Sequence, residues 1–425
     1  MTSQFGSPLP LPHLVYLEAL AQCTEESPRW HSVTAGYAVL QLFEGWASID
    51  GSGVAPSVLE MRRVRKRLAR VSESDPIRRC LTQLIDVLER ARPGDTTEPV
   101  LRAFEVGRIL AAYGKLLQYE ASWSLSRDVF ETLVAYAQCT DDEERLLDSM
   151  LMVGFSLRML AQFDEARDAY GRLRDTAALL ESEQYLLLSE LGFAKIAIER
   201  GNLPAAAGML DQIITEAGEE EHVGIRAKAL MERARVASQL GDLSSATILG
   251  HQALLQSRDP MERDRILINL SVTLMELGLW EQSRDGNLLL TVTAQEATVR
   301  WMAQINLMQL AYLERREPMF EHYRREIAGM DLPPYLEAMF WQASAHGFRV
   351  FDRLPDAARA FQKMLAVADR HELNEFIVHA ERALKDVAAA ADPMEKARRS
   401  PASEPPPELA TVARAVTELR ILAGL

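Results

Sequence analysis

The apolar positions of the chain follow a helical period through most of its length. Between 183 and 199, for example, Leu187, Leu191, Ala194 and Ile198 recur at intervals of three and four residues, which places them on one side of a helix. The alternation of apolar and polar residues that marks a half-buried strand is nearly absent. The pattern therefore predicts an all-α protein.

A frame of small and apolar residues repeats through the helical region. A small residue occurs seven times, at spacings of 40, 40, 40, 37, 40 and 34 residues: Gly114, Gly154, Ala194, Ala234, Ser271, Ala311 and Ala345. An apolar residue follows nine positions later in each case: Trp123, Phe163, Leu203, Leu243, Trp280, Phe320 and Leu354. A second small residue comes twelve positions after the first in every repeat except one, which has Tyr323. Because small residues let two helices approach closely, the frame predicts seven helical hairpins.

Residues that end helices agree with this frame. Gly201-Asn202, Gly241-Asp242 and Gly278 each fall shortly before the apolar residue of a repeat. A helix has to stop and the chain has to reverse at these points. We therefore expect the second helix of each hairpin to begin at the apolar residue.

The segment GFSLRMLAQFDEARDAY, residues 154–170, resembles the tetratricopeptide repeat family in its long bacterial form of about 40 residues. That family has a small residue at position 8, glycine at 15, an aromatic residue at 17, alanine at 20 and a second aromatic at 24. Gly250 replaces the second aromatic in its repeat, and the family's proline is missing. The resemblance covers 98–391 and implies a right-handed superhelical solenoid of antiparallel helix pairs. Such long repeats also resemble the helical sensor arms of some bacterial transcription activators.

The flanking segments do not follow the repeat frame. We expect an N-terminal cap or degenerate repeats over 1–97, with helices near 12–22, 30–47, 57–72 and 77–91. The solenoid of about seven repeats would occupy 98–391 and end in a capping helix over 373–391. The proline-rich stretch 392–407 reads as an exposed linker, and 408–425 as an amphipathic C-terminal helix.

Composition and charge narrow the function. The formal net charge is −14, which makes nucleic acid an unlikely general partner because phosphates would be repelled. The three cysteines are far apart and form no disulfide framework or metal motif. The N-terminus lacks the basic start of a signal peptide, and no run of 18 apolar residues indicates a membrane span. We expect a cytoplasmic protein.

Motifs of chemistry are missing from the sequence. It contains no G-x-x-x-x-G-K-[ST], G-x-S-x-G or H-E-x-x-H, which are signatures of phosphate binding, serine hydrolysis and zinc proteolysis. His371 and His379 share a helical face two turns apart, too far for one metal ion without a third element. We therefore predict no catalytic residues, no metal site and no cofactor.

The resemblance implies which side chains face the inner wall of the solenoid, because positions 2, 5, 9 and 12 of each repeat line the groove in that family. Nine of the 28 corresponding positions are Lys or Arg and only Asp148 is acidic, although acids outnumber bases 61 to 47 overall. The predicted partner-binding groove contains Lys115, Phe155, Arg158, Lys195, Lys228, Met231, Arg235, Arg265, Ile268, Met275, Met308, Tyr312, Arg315, His346 and Arg349. If the frame is displaced by one residue, the same bases would lie on an outer face or pair with neighbouring repeats.

Two further segments carry charge or amphipathic character. Residues 61–71, MRRVRKRLARV, form either a solvated helix face or a docking patch for an acidic partner or nucleic acid. The helix 408–423 either reaches the groove across the linker, packs locally as a cap, or is exchanged between two copies in a dimer.

Together these patterns predict a non-catalytic scaffold or adaptor. Its basic and apolar groove would hold a protein segment or peptide with acidic and apolar residues, because Arg and Lys bind carboxylates through charge-assisted hydrogen bonds. The alternative function is a regulatory sensor whose solenoid binds a small ligand or signalling peptide and thereby controls a partner.

Overall fold

The computed structural model describes residues 12–47, 56–90, 99–120, 122–330, 332–371, 373–388 and 405–424. Throughout these ranges the regular structure is helical, with twenty α-helices and one short 3-10 helix. The prediction of an all-α fold is confirmed. Most of the predicted linker 392–407 lies outside the described residues.

The chain divides into two compact units, Met1–Asn202 and Leu203–Leu425. The helices of the first unit are α1 (Leu14–Ala21), α2 (Pro28–Trp46), α3 (Val58–Leu68), α4 (Pro76–Arg90), α5 (Pro99–Tyr119), α6 (Trp123–Thr140), α7 (Glu143–Met159), α8 (Phe163–Leu179) and α9 (Glu183–Glu199). Those of the second unit are α10 (Leu203–Glu216), α11 (Val223–Gln239), α12 (Leu243–Gln256), α13 (Pro260–Glu276), α14 (Trp280–Thr293), α15 (Ala297–Leu313), α16 (Glu317–Ile327), α17 (Pro334–Val350), α18 (Leu354–Arg370), α19 (Asn374–Ala388) and α20 (Ala410–Leu422). The division lies inside the range 98–391, and the four-segment domain organisation stays a prediction.

Within each unit, consecutive helices pack as antiparallel pairs in the manner of a helical solenoid. The predicted apolar residue is the first residue of a helix in six of the seven repeats, as at Trp123, Phe163 and Trp280. In the remaining hairpin, α16 begins at Glu317, three residues before Phe320. The helix that carries the exceptional Tyr323 is thus also the one that departs from the frame.

The turns between paired helices adopt the left-handed backbone that glycine favours. Gly201, Gly241 and Gly278 have φ values of 76°, 84° and 82°, as expected of residues that end a helix. Ala161 and Arg315 occupy corresponding turns with φ of 57°, although they carry a Cβ. The turn geometry is therefore set by the repeat and not by glycine alone.

The small residue at the head of the frame makes room for an aromatic ring. A Cβ added to Gly154 of α7 would lie 2.6 Å from the Tyr170 ring, and one added to Gly192 of α9 would lie equally close to it. Tyr170 is buried between the two helices. This ring between two glycines joins the pair α7–α8 to α9, which explains why the frame requires small residues there.

We expect Gly154→Ala to lower the free energy of unfolding by about 1–3 kcal/mol, because the ring of Tyr170 has to shift. Gly171→Ala is the matched control, since Gly171 lies on α8 and a Cβ there would have nothing within 4 Å. That control should stabilise the helix by about 0.5–1 kcal/mol. Urea unfolding of the three proteins tests the pair, and a Gly154→Ala chain as stable as the control would contradict the packing argument.

The helices that precede the repeats share a core with them. Helices α1 to α4 match the expected ranges near 12–22, 30–47, 57–72 and 77–91. Their buried residues form one hydrophobic cluster with those of α5 to α9, from Tyr16 to Ile196. The N-terminal helices therefore extend the first unit and are not a separate body.

A buried cluster of three charged residues connects the start of α1 to α2 and α6. His13, only 1% exposed, has Nδ1 2.5 Å from an Asp128 carboxylate oxygen and Nε2 3.1 Å from one of Glu44. Burial by itself lowers the pKa of His13, but hydrogen bonds and charge attraction to Asp128 and Glu44 outweigh it and raise the pKa to about 9. His13 is therefore a buried cation that links α1 to α2 and α6.

The C-terminal helix lies in neither of the two positions expected for it within one chain, and its exchange between two copies stays a prediction. Helix α20 packs on α12 and α14 of the second unit, which are second helices of their pairs. It therefore contacts neither the first-helix groove nor the terminal helix α19 among the packed elements. The expectations of groove docking and of a local cap are wrong, because the receiving surface lies several repeats back along the chain.

Candidate functional site

In the first unit, the predicted groove residues fall into two groups. Lys115 is exposed on α5 and has no ion-pair partner among the described residues. Lys195 is half-buried on α9. These two side chains stay candidates for contact with a partner.

Phe155 and Arg158 lie together on α7, but they serve the packing of the first unit. The Arg158 guanidinium carbon lies 5.2 Å from the centroid of the Phe155 ring, and the Trp123 ring meets the same ring edge-on at 5.7 Å. Arg158 is buried and forms an ion pair with Glu199 of α9. The binding of a partner by Arg158 stays a prediction, and its charge is already matched inside the protein.

In the second unit, two predicted groove residues belong to the core. Ile268 of α13 is 3% exposed and Met308 of α15 is 0% exposed. Each is part of a buried hydrophobic cluster between helices. Their assignment to the groove is wrong, since both side chains are buried among neighbouring helices and are not exposed to a partner.

Met231 and Arg235 of α11 do lie together. They line a cavity of about 150 Å³ with Ser238 of the same helix and Val272 of α13, and all four were groove positions in the frame. Other lining residues come from α12 and α13, among them Gly250 and Leu270. The frame therefore brings α11 and α13 together correctly, and the two helices form a small recess with a cation at its edge.

Ion pairs reduce the positive charge of the predicted groove. Arg235 Nη2 lies 2.8 Å from a carboxylate oxygen of Glu232, and Arg265 Nη2 lies 2.6 Å from one of Glu296. Neither acid was counted, because the frame sampled only four positions per first helix. Lys228 and Arg315 are exposed and form no ion pair among the described residues, so they contribute the clearest uncompensated charge.

The remaining predicted residues lie further along the second unit. Met275 is half-buried on α13, and Tyr312 is half-buried on α15, where desolvation raises the pKa of its phenol to about 12. Arg315 follows the end of α15 and lies in the turn to α16. It therefore extends from a turn and not from the face of a helix. Arg349 is half-buried at the end of α17.

His346 faces the capping helix. Its Nε2 lies 3.2 Å from Nε2 of His379 on α19, and its ring meets the Phe361 ring edge-on. Burial, followed by the charges of His379 and Arg349, lowers the pKa of His346 to about 4. A neutral imidazole in this setting contributes to packing and is not a cation for a partner.

Outside the groove, α3 displays a basic face. Met61, Val64 and Leu68 are buried, whereas Arg62, Arg63, Lys66, Arg67 and Arg70 are exposed. Arg65 is held by Asp86 and Glu89 of α4, at 2.8 and 2.5 Å. The solvated face and the docking patch both stay open as interpretations of this helix.

A larger cavity of about 310 Å³ lies in the first unit, away from the predicted groove. It is lined by side chains of α2, α4, α5 and α6, including Arg29, Asp75, Tyr113 and Glu120. Desolvation, and after it the charge of Asp75, raises the pKa of Glu120. No pattern in the sequence indicated that Arg29, Asp75 and Glu120 would line one cavity. These residues come together only through the packing of four helices.

The described residues contain no group of three His, Cys, Asp or Glu side chains arranged to hold a metal ion. None of the helices seen in the described ranges is long and apolar enough to cross a bilayer. No protein-family model matches the chain, and no curated protein matches its sequence.

Solved structures do show similar folds. The apo form of RapI is 10% identical with a TM-score of 0.48, over 80% of this chain and 99% of that one. A Rap protein complexed with Competence and Sporulation Factor is 11% identical with a TM-score of 0.40, over 86% and 100%. BtubC from P. vanneervenii is 12% identical with a TM-score of 0.37, over 60% and 92%. Because all three TM-scores are below 0.5, these matches support no statement about the function of this chain.

Proposed function

We propose that the chain is a non-catalytic scaffold that binds a segment of another protein or a peptide along the first helices of its pairs. The observation that carries the proposal is the recess between α11 and α13, in which Met231 and Val272 lie beside Arg235. Exposed Lys228 on the same helix adds positive charge. A ligand with an apolar anchor and nearby carboxylates fits this chemistry.

The size of the recess favours a peptide over a metabolite. At about 150 Å³ it is smaller than the roughly 300–1,000 Å³ of small-molecule pockets, and is suited to a single side chain. Methionine adapts its shape to such side chains because it is unbranched and polarizable. The carboxylate of Glu232 would have to share Arg235 with the partner.

The same proposal includes the finer assignments. We assign the repeat to the long tetratricopeptide type on the basis of its 40-residue frame and its glycine–aromatic packing. We place the chain in the cytoplasm and expect it to turn over no substrate.

Charge reversal tests the scaffold. Peptides arrayed with varied acidic and apolar content should bind the wild-type chain best when they carry both, and less well at high salt. Lys228→Glu combined with Arg235→Glu should weaken that binding by about tenfold or more, equivalent to about 1.4 kcal/mol. Arg325→Glu, an exposed position on the second helix α16, is the control and should leave it unchanged. Equal loss in the control, or none in the double variant, would refute the site.

The alternative function, a sensor, is favoured by the cavity of the first unit. Its volume of about 310 Å³ reaches the lower end of the small-molecule range, and Arg29 with Glu120 offers complementary charges to a small zwitterion. A ligand there would raise the melting temperature by mass action. A thermal shift from a metabolite that Arg29→Ala removes would support the sensor over the scaffold.

A further inference from the structure

The surface formed by α12 and α14 receives an amphipathic helix, and we call it the α12–α14 groove. Leu409, Val412 and Val416, at the start and along the length of α20, are buried against it. They belong to the same hydrophobic cluster as Leu254 of α12 and Leu290 of α14. The groove therefore buries one stripe of a helix, which is how helices are recognised in many complexes.

A buried acid gives the α12–α14 groove a charge requirement. Asp285 of α14 is 2% exposed, and its Oδ1 lies 3.0 Å from Nη1 of Arg420. Arg420 comes one helical turn after Val416, so the cation and the apolar contact lie on the same side of α20. Because an unpaired buried carboxylate is strongly unfavourable, the groove selects a helix with an arginine at this spacing.

Val416 of α20 packs against α14 at a glycine, Gly286, which lies next to Asp285. A Cβ at this position would lie 2.3 Å from the Ser271 Oγ atom of α13, so the packing of α14 on α13 requires the glycine. The same position lies 3.4 Å from the Cγ1 atom of Val416, an ordinary van der Waals distance. Glycine and aspartate together therefore form a seat for a valine and an arginine spaced four residues apart.

Helix α20 leaves some buried polar atoms at this seat without hydrogen bonds. Asp285 Oδ2 and Arg420 Nε are buried and have no hydrogen-bond partner among the described residues. The last turn of α20 leaves Ile421 and Leu422 largely exposed to solvent. A helix that gives Asp285 a second donor and covers its own apolar end would bind more tightly, since each unsatisfied buried polar group is costly.

We propose that the α12–α14 groove is a docking site for an amphipathic helix of a partner protein, with α20 as its tethered competitor. The partner helix carries apolar residues at the spacing of Leu409, Val412 and Val416, and an arginine four residues after the last of them. The site differs from the proposed peptide site, whose Met231, Arg235 and Val272 lie on α11 and α13, although α12 contributes residues to both. The partner has to displace α20. The effective concentration of α20 at the groove therefore determines how tightly a partner helix must bind.

The experiment uses a fluorescent peptide of residues 405–424 as the probe and the full-length chain as the receptor. Val416→Asp in the receptor places a charge in the apolar contact and releases α20, while the groove keeps its own residues. Arg420→Glu releases α20 by another route and keeps every apolar side chain. Arg414→Glu, an exposed position on the same helix, is the matched control. Circular dichroism checks that each receptor keeps its helical content.

The probe should bind the Val416→Asp and Arg420→Glu receptors at least about tenfold more tightly than wild type or Arg414→Glu, because a short tether holds α20 at millimolar effective concentration. A probe carrying Arg420→Glu should lose this binding. Equal binding to all receptors, or none to any, would overturn the proposal. So would a wild-type chain whose concentration-dependent dimer disappears in Arg420→Glu, since the competitor would then be α20 of a second copy.

Discussion

Replacement of His13 by alanine is expected to lower the free energy of unfolding of the first unit by about 3–5 kcal/mol, the usual cost of removing one partner from a buried ion pair. The substitution leaves the carboxylates of Glu44 and Asp128, both largely buried, without the cation between them. Urea unfolding at pH 6 measures the loss. His322→Ala is the control, because His322 is exposed and its ion pair is with Glu326, one turn away on the same helix.

The pH dependence of unfolding gives this prediction a second readout. The folded-state pKa of His13, about 9, lies above the ordinary value of about 6.5. The stabilisation by His13 is therefore complete below about pH 6.5 and is lost as the pH rises towards 9. Wild type and His322→Ala should show this decline, and His13→Ala should lack it. A wild-type stability that stays flat between pH 6.5 and 9 would mean that His13 is not a buried cation.

Replacement of Phe320 by alanine is expected to lower the free energy of unfolding of the second unit by about 3–5 kcal/mol. The Phe320 side chain is fully buried, and its ring lies 5.5–5.6 Å from the rings of Phe348 and Phe351. The substitution removes these contacts and leaves a cavity. Met319→Ala, a half-exposed neighbour on α16, is the control and should cost less than about 1 kcal/mol.

A double variant tests the cause of that loss. A Cβ on Gly347 of α17 would lie 2.1 Å from the Phe320 ring, so Gly347→Ala should be destabilising in the wild-type background. In the Phe320→Ala background the same change has room and should be neutral or stabilising. The two effects should therefore fail to add by more than about 0.5 kcal/mol. Additive effects would show that the ring does not meet Gly347.

The sequence predicted local structure better than it predicted the site. Helix starts such as Trp123 and Leu243 could be located because small and apolar residues recur at fixed offsets, and that recurrence reflects packing within one hairpin. The burial of Ile268 and Met308 could not be derived in this way, because it depends on how neighbouring helices pack on them. Periodicity identifies the inward side of a helix, but it does not separate a groove wall from a contact between repeats.

Charge was the least predictable feature. Arg158 and Arg265 form ion pairs with Glu199 and Glu296, which lie outside their own helices. A count of charges along a single helix does not include these acids. The seat for α20 was equally hidden, since Asp285 and Gly286 are unremarkable residues within α14. Both cases depend on pairs far apart in the sequence, which come together only when the chain is folded.

The position of α20 also affects how many molecules one chain can hold. In the second unit, α20 packs on α12 and α14, whereas the Met231 recess is lined by α11, α12 and α13. If both proposed sites bind their partners, one chain would bring two different proteins together in a ternary complex, with α12 between them. A ligand that displaces α12 from either neighbour would then change the affinity for both partners.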